Sequence, residues 1–444
     1  MALLVLATTV HRTWLAVFPQ LFDPWSMLPF GFLVLVVLVD VRHPLRLAHL
    51  DLLAMLSLVL GMAYGGAARP WATLLIYPQL GYLALRMIAL ARTRRAPAAL
   101  RSQIPRNWLA LGLLVLIGVH IAWEVPPATY MDIASDSVRG ALRIVHGQSL
   151  YAGAAGTATY GPTNFLAYVP FATAISSGAV ASRLATICFT MITAALLFVL
   201  GRRERGVDTG LLLAYLWLAL PFTLYEDATG LNDSLVAACL VATLLCLRRP
   251  ARLGAAAAVS GFTKLAPLAI VPLLAMRRGR RDFATFSLAF ALTTAVLFVP
   301  ALDHSSISAF VSQSFGYQST RVAENSIWAA LSLSWSHHAH WLIVLSGVLQ
   351  ALTLGTAVAA ALMLPRLHLR DDLAGTAAAS AGIVLLLELS LSSFAYSYIL
   401  WFAPLVLVAL VLGAAGDASR ANDAAAVATD RRRGSGRRSE PITA

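Results

Sequence analysis

The chain has 444 residues, of which 59% are hydrophobic and 12% charged, and its mean hydropathy is +0.75. So apolar a composition excludes an ordinary soluble domain, and repeated apolar runs long enough to cross ~30 Å of hydrocarbon mark a polytopic membrane protein. The formal net charge of +12 does not point to nucleic acid, because the arginines sit in short loops between the apolar runs.

In chain order, apolar runs fall at about 2–20, 26–40, 50–65, 71–91, 108–124, 181–201, 209–225, 232–247, 283–301, 340–363, 374–392 and 394–413. Each is predicted to be a helix, giving roughly twelve membrane spans in an all-α protein. The first run lacks a basic n-region and a clear cleavage site, so it reads as a retained span and not a signal peptide. Cys188, Cys239 and Cys246 each lie inside an apolar run, without paired spacing, and read as small core residues.

Arginine clusters begin at 92, 202, 248, 277, 366 and 431. The positive-inside rule puts all six in the cytoplasm, together with both termini. Residues 125–180, 226–231 and 302–339 then lie outside. Residues 254–276, "GAAAAVSGFTKLAPLAIVPLLAM", carry arginines at both ends. A single crossing would strand one cluster outside, so a re-entrant helical hairpin broken near Lys264 and Pro267 is predicted. The resulting organisation is a membrane domain over 1–413, with an external loop at 125–180 and a hairpin at 254–276. A disordered basic tail at 414–444 follows, cytoplasmic by the same rule.

The external loop opens with "YMDIASDSVRGALRIVHGQSLY". Ile133, Val138, Ala141, Leu142 and Val145 fall on one side of a helix, while Asp132, Asp136, Arg139, Arg143 and His146 fall towards the other. An amphipathic helix along the outer membrane surface is expected. Asp132 and Asp136 are one turn apart, so a carboxylate here could act as general base. The plainer alternative makes Asp132 an N-cap and pairs Asp136 with Arg139.

Five further features follow. "YGPTNFLAYVPF" reads as an interfacial turn with aromatic residues. "YEDATGLNDSL" packs Glu226, Asp227, Asn232 and Asp233 into one external turn, to bind sugar hydroxyls or to cap helices. Lys264 is the only lysine among the 33 basic Lys and Arg residues. Its ammonium could meet a lipid phosphate or pair with a carboxylate such as Asp233. Arg321 could contact a phosphate or a rim carboxylate, whereas "SWSHHAH", with His337, His338 and His340, matches no zinc spacing and reads as a hydrated loop.

The series "HGQSLY", "YGPTNFLAYVPF", "GLNDSLVAACL" and "SGFTKLAPLAIVPLL", following an acidic loop residue, resembles the GT-C fold glycosyltransferases. It is most similar to the polyprenyl-phosphate-mannose-dependent mannosyltransferases of glycosyltransferase family 87. The resemblance runs from about Asp132 to Arg281 and, by span count, to residue 413. It implies a membrane hexosyltransferase that moves a sugar, with inversion, from a polyprenyl-phosphate donor to a cell-envelope glycan or glycolipid acceptor on the external face.

Carried over, the general base falls on Asp132, with Asp136 as rival. Lys264 matches the family's donor-phosphate lysine, and Asn232 and Asp233 its polar pair. Beside these, Arg321 is expected as a second donor-phosphate contact, and His146 and Tyr160 are expected to bind substrate with Asn232 and Asp233. No cofactor and no nucleic acid are expected, a divalent metal stays open, and the bilayer is the one macroscopic partner. No P-loop motif occurs, as a lipid-phosphate donor would require none. A glycolipid transporter using the same polar residues, or a catalytically silent relative, are the competing expectations.

Overall fold

The computed structural model describes residues 28–40, 43–64, 74–93, 99–122, 132–151, 158–277, 279–317, 326–335, 340–367, 369–370 and 372–413. The run at 2–20, Arg321, His337, His338 and the tail at 414–444 lie outside the described residues.

The described chain is helical. It comprises α1 (Leu28–Leu38), α2 (Leu47–Tyr64), α3 (Tyr77–Arg92), α4 (Arg106–Ala122), α5 (Asp132–Val145), α6 (Pro162–Ala174), α7 (Gly178–Arg205), α8 (Val207–Leu218), α9 (Pro221–Thr229) and α10 (Asp233–Leu245). After these come α11 (Pro250–Lys264), α12 (Val271–Met276), α13 (Arg280–Leu302), α14 (Ile307–Val311), α15 (Ile327–Trp335), α16 (His340–Met363), α17 (Leu373–Ser390) and α18 (Ile399–Val411). Among the described residues the apolar runs fall on these helices to within a few residues, the run at 209–225 being divided between α8 and α9.

Among the described residues, five helices are alone long and apolar enough to cross a membrane: Leu74–Arg92, Gly178–Arg205, Arg280–Leu302, Val344–Arg366 and Leu373–Ser390. The pair α8 and α9, bent by 55°, makes a sixth if taken as one span. Several remaining runs form helices such as Arg106–Ala122 and Asp233–Leu245, shorter than the ~20 residues a perpendicular crossing needs. Of the expected twelve spans, up to six stand on length and composition among the described residues.

The arginine loops converge on one end of the bundle. Leu100 N–H donates to Leu410 O at 3.0 Å, Gln103 N–H to Val37 O at 2.8 Å, and Arg370 N–H to Ala91 O at 2.9 Å. Arg205 donates to Leu412 O at 2.8 Å, Arg106 faces Asp208 at 3.5 Å, and Arg248 faces Glu204 at 3.3 Å. Pro250 and Leu253 share a pocket with Leu274, Ala275 and Arg277. Five of the six clusters thus meet on one face, and the sixth lies outside the described residues.

That shared pocket also fixes the path of 250–277. A straight helix of this length would extend ~40 Å, yet its two ends adjoin. The reversal occurs at Leu265, a non-glycine residue in the left-handed region with φ 64°, just after Lys264 and before the 3-10 turn Ala266–Ile270. Phe262 has already left helical geometry.

Among its described residues the external segment 125–180 holds two helices, α5 and α6, where one was expected. α5 is amphipathic as predicted, but its apolar face is covered by protein and not left for lipid headgroups. Val138 and Ala141 are buried in a cluster with Tyr168, Ala172, Ala181, Ala185, Phe189 and Leu235. Ala134 and Ser137 complete the buried stripe, while Val145 is 45% exposed. "YGPTNFLAYVPF" is only in part a turn. Pro162 starts α6 at its first position, where the missing N–H costs nothing.

Candidate functional site

The site lies at the end opposite the arginine face, where chain breaks bring sequence motifs together. The first break is between α9 and α10. Gly230 ends α9 in the left-handed conformation, φ 68°, which glycine adopts without a Cβ penalty. The chain folds back, and Glu226 Oε1 accepts from Asp233 N–H and, at 3.0 Å, from Ser234 N–H. Glu226 is the cap of α10, replacing the Asn232 side chain, which makes no capping bond.

Asn232 is thereby free to point elsewhere. Its Nδ2 donates to Asn164 Oδ1 at 2.8 Å and approaches Ser137 Oγ at 3.3 Å, while Asn164 Nδ2 donates to the same hydroxyl at 3.1 Å. This buried triangle ties α5 and α6 to the α9–α10 turn.

The second break presents Lys264. Its Nζ lies 2.6 Å from Asp233 Oδ1, with side chains 4% and 0% exposed. Trp401 Nε1–H donates to that same oxygen at 2.6 Å. Lys264 Nζ also faces the rings of Tyr160, Tyr398 and Trp401, at 5.3, 5.6 and 5.9 Å from their centroids. An ammonium closed from water is thus met by one carboxylate and three aromatic faces.

The turn carrying Tyr160 is docked directly on the kink. Gly161 N–H donates to Thr263 O at 2.9 Å, and a Cβ at Gly161 would fall 2.1 Å from the Phe262 carbonyl oxygen. The "YGP" turn therefore needs glycine for close approach. Tyr151 OH donates to Tyr160 O at 3.2 Å, and burial pushes that phenol above its ordinary pKa, keeping it a neutral donor. The Tyr151 ring meets Phe310 edge-on at 5.1 Å. "HGQSLY" thus serves as an anchor for the turn.

Of the eight residues singled out in the sequence, four come together here: Tyr160, Asn232, Asp233 and Lys264. Asp136 pairs with Arg139 one turn on. Asp132 is the first residue of α5, and its side chain lies outside the described residues. His146 is exposed in the turn after α5. Lys264 has the carboxylate partner anticipated as an alternative.

Sequence reasoning missed Trp401, Tyr398 and Glu388. The first two are embedded in an apolar run, where only tertiary contact reveals a polar task. Glu388 is fully buried near the end of α17, and neither carboxyl oxygen has a hydrogen-bond partner among the described residues. Glu226 Oε2, Asp233 Oδ2 and Asn232 Oδ1 are likewise open acceptors there. Such atoms suit donors of a polar ligand or ordered water.

Asp227, from the same acidic turn, has a structural partner. His120 Nδ1 lies 2.6 Å from Asp227 Oδ2, and Thr190 Oγ1 donates to Asp227 Oδ1 at 2.6 Å. The three cysteines are free. No group of metal-ligating residues occurs among the described residues.

A comparison with curated proteins finds no match. α5, with Asp132 and Asp136, precedes the stretch that a family model recognises. The model of glycosyltransferase family 87 matches residues 158–393, which include Tyr160, Asn232, Asp233, Lys264 and the reversal at Leu265, and the chain belongs to that family of membrane glycosyltransferases.

Proposed function

We propose that this glycosyltransferase moves a hexose, mannose in the first instance, from a polyprenyl-phosphate donor to a cell-envelope acceptor, with inversion, in a GT-C-type fold. The chemistry takes place on the membrane face opposite the arginine loops, which the positive-inside rule makes the external face. The single observation that carries this reading is the buried Lys264, the sole lysine of the chain, held against Asp233 and three aromatic rings at that end.

In this reading Asp132 removes the proton of the acceptor hydroxyl as it attacks the anomeric carbon, and the polyprenyl phosphate departs. Lys264 turns from Asp233 to the leaving phosphate and stabilises its charge. Trp401 Nε1–H stays with Asp233 and limits the cost of parting the pair. Arg321 is a second phosphate ligand, while Tyr160 and Asn232 line the substrate space and His146 lies at its rim. The adjoining ends of 250–277 support a segment that enters from and returns to the arginine side.

The test is transfer by the purified protein from labelled polyprenyl-phosphate-mannose to a panel of envelope acceptors. Asp132→Asn is expected to lose about 10²-fold or more in rate, and Asp136→Asn to keep most of it. Absence of transfer with every acceptor, joined with movement of the lipid across vesicles, would replace the enzyme reading by a transporter.

A further inference from the structure

A second feature lies at the opposite end of the bundle and largely outside the residues the family model covers. Between α4, the end of α7, the start of α8 and the end of α18 is a cavity of about 590 Å³, within the roughly 300–1,000 Å³ typical of small-ligand sites. Buried Leu109, Leu212 and Val411 give it an apolar part, and its charged lining is Arg101, Arg106 and Arg205 together with Glu204 and Asp208.

The two lining carboxylates, and Asp372 beyond them, are each paired with an arginine. Asp208 faces Arg106 at 3.5 Å, Glu204 faces Arg248 at 3.3 Å, and Asp372 holds Arg370. Arg205 spends its donors on the Leu412 and Gly413 carbonyls, which neutralise none of its charge. Arg205 lies within electrostatic reach of Arg101 and Arg370 and also of Asp372 and Glu204, carboxylates that are each paired with another arginine, while Arg101 makes no ion pair among the described residues. Like charges crowded around a half-apolar hollow favour an anion with its own apolar part.

We infer that this cavity is a binding site for a phosphate-bearing anion, of the class carried by an anionic phospholipid headgroup. The planar guanidiniums suit phosphate oxygens, and the leucine and valine part suits the start of an acyl chain. The site is remote from Lys264 and does not rest on the donor assignment.

The experiment uses the full chain in nanodiscs of mixed phosphatidylglycerol and phosphatidylcholine, with the lipid that stays bound on transfer to detergent measured by native mass spectrometry. Phosphatidylglycerol is expected to be enriched, and Arg101→Gln to lower that enrichment by about fivefold. Arg101 carries the test because Arg205 also caps α18 and its loss could disturb the fold. In a second arm, inorganic phosphate is titrated against delipidated protein and thermal stability is read. Stabilisation by phosphate that Arg101→Gln abolishes, without lipid enrichment, assigns the site to a free anion. Enrichment and stabilisation both unchanged in Arg101→Gln would overturn the proposal.

Discussion

Lys264 and Asp233, thirty-one positions apart in sequence, form an ion pair of 2.6 Å that is closed from solvent and shared with Trp401. Removing one partner leaves the other charge buried and alone. Lys264→Met and Asp233→Asn are each expected to destabilise the protein by about 3–5 kcal/mol. The double variant should cost clearly less than the sum, as read by denaturation in detergent. In the same variants, donor binding tests Lys264 separately: unchanged donor affinity in Lys264→Met reduces it to a structural residue.

Trp401→Phe retains the ring beside Lys264 and deletes the N–H that reaches Asp233. A loss of about 1–3 kcal/mol is expected from a buried hydrogen bond to a charged group. Thermal stability in detergent checks it, and an unchanged melting temperature contradicts the assignment.

Gly161→Ala places a methyl group against the Phe262 carbonyl, a backbone atom that cannot swing aside. The turn must then lift from the kink, at about 1–3 kcal/mol, and transfer should fall with it because Tyr160 moves. Gly118→Ala in α4 meets nothing within 4 Å. That control should be neutral or stabilising by up to ~1 kcal/mol.

Much of this was legible in the sequence. Helix positions followed from apolar runs, and the reversal near Lys264 followed from arginines flanking too short a segment. The Asp136–Arg139 pair, the capping duty of Glu226 and the Lys264–Asp233 pair each stood as one of two alternatives. α6 was not legible, since Thr163, Asn164 and Pro170 interrupt its apolar pattern. Neither was Glu388, whose carboxyl lies within an apolar run and whose complete burial only the packing reveals. The covering of α5 by α6 and α7 was hidden for a related reason: an amphipathic stripe specifies that something apolar lies beneath it, but not whether that is lipid or protein.

His120 tests the scaffold behind the site. Its Nδ1 meets Asp227 and its Nε2 meets Leu218 O at 2.9 Å, so both nitrogens face acceptors. His120→Leu strands the Asp227 carboxylate and should cost about 3–5 kcal/mol. The pair His120→Leu with Asp227→Leu should recover part of that loss, which denaturation of the two variants compares directly.

The left-handed Leu265 stands immediately after the lone lysine. The ammonium therefore sits at the apex of an elbow, and its depth is set by where the backbone turns, not by the reach of a flexible side chain. Inserting or deleting one residue in α11 would swing that apex around the helix axis by about 100°, carrying the charge away from Asp233 even though every side chain of the cluster were retained.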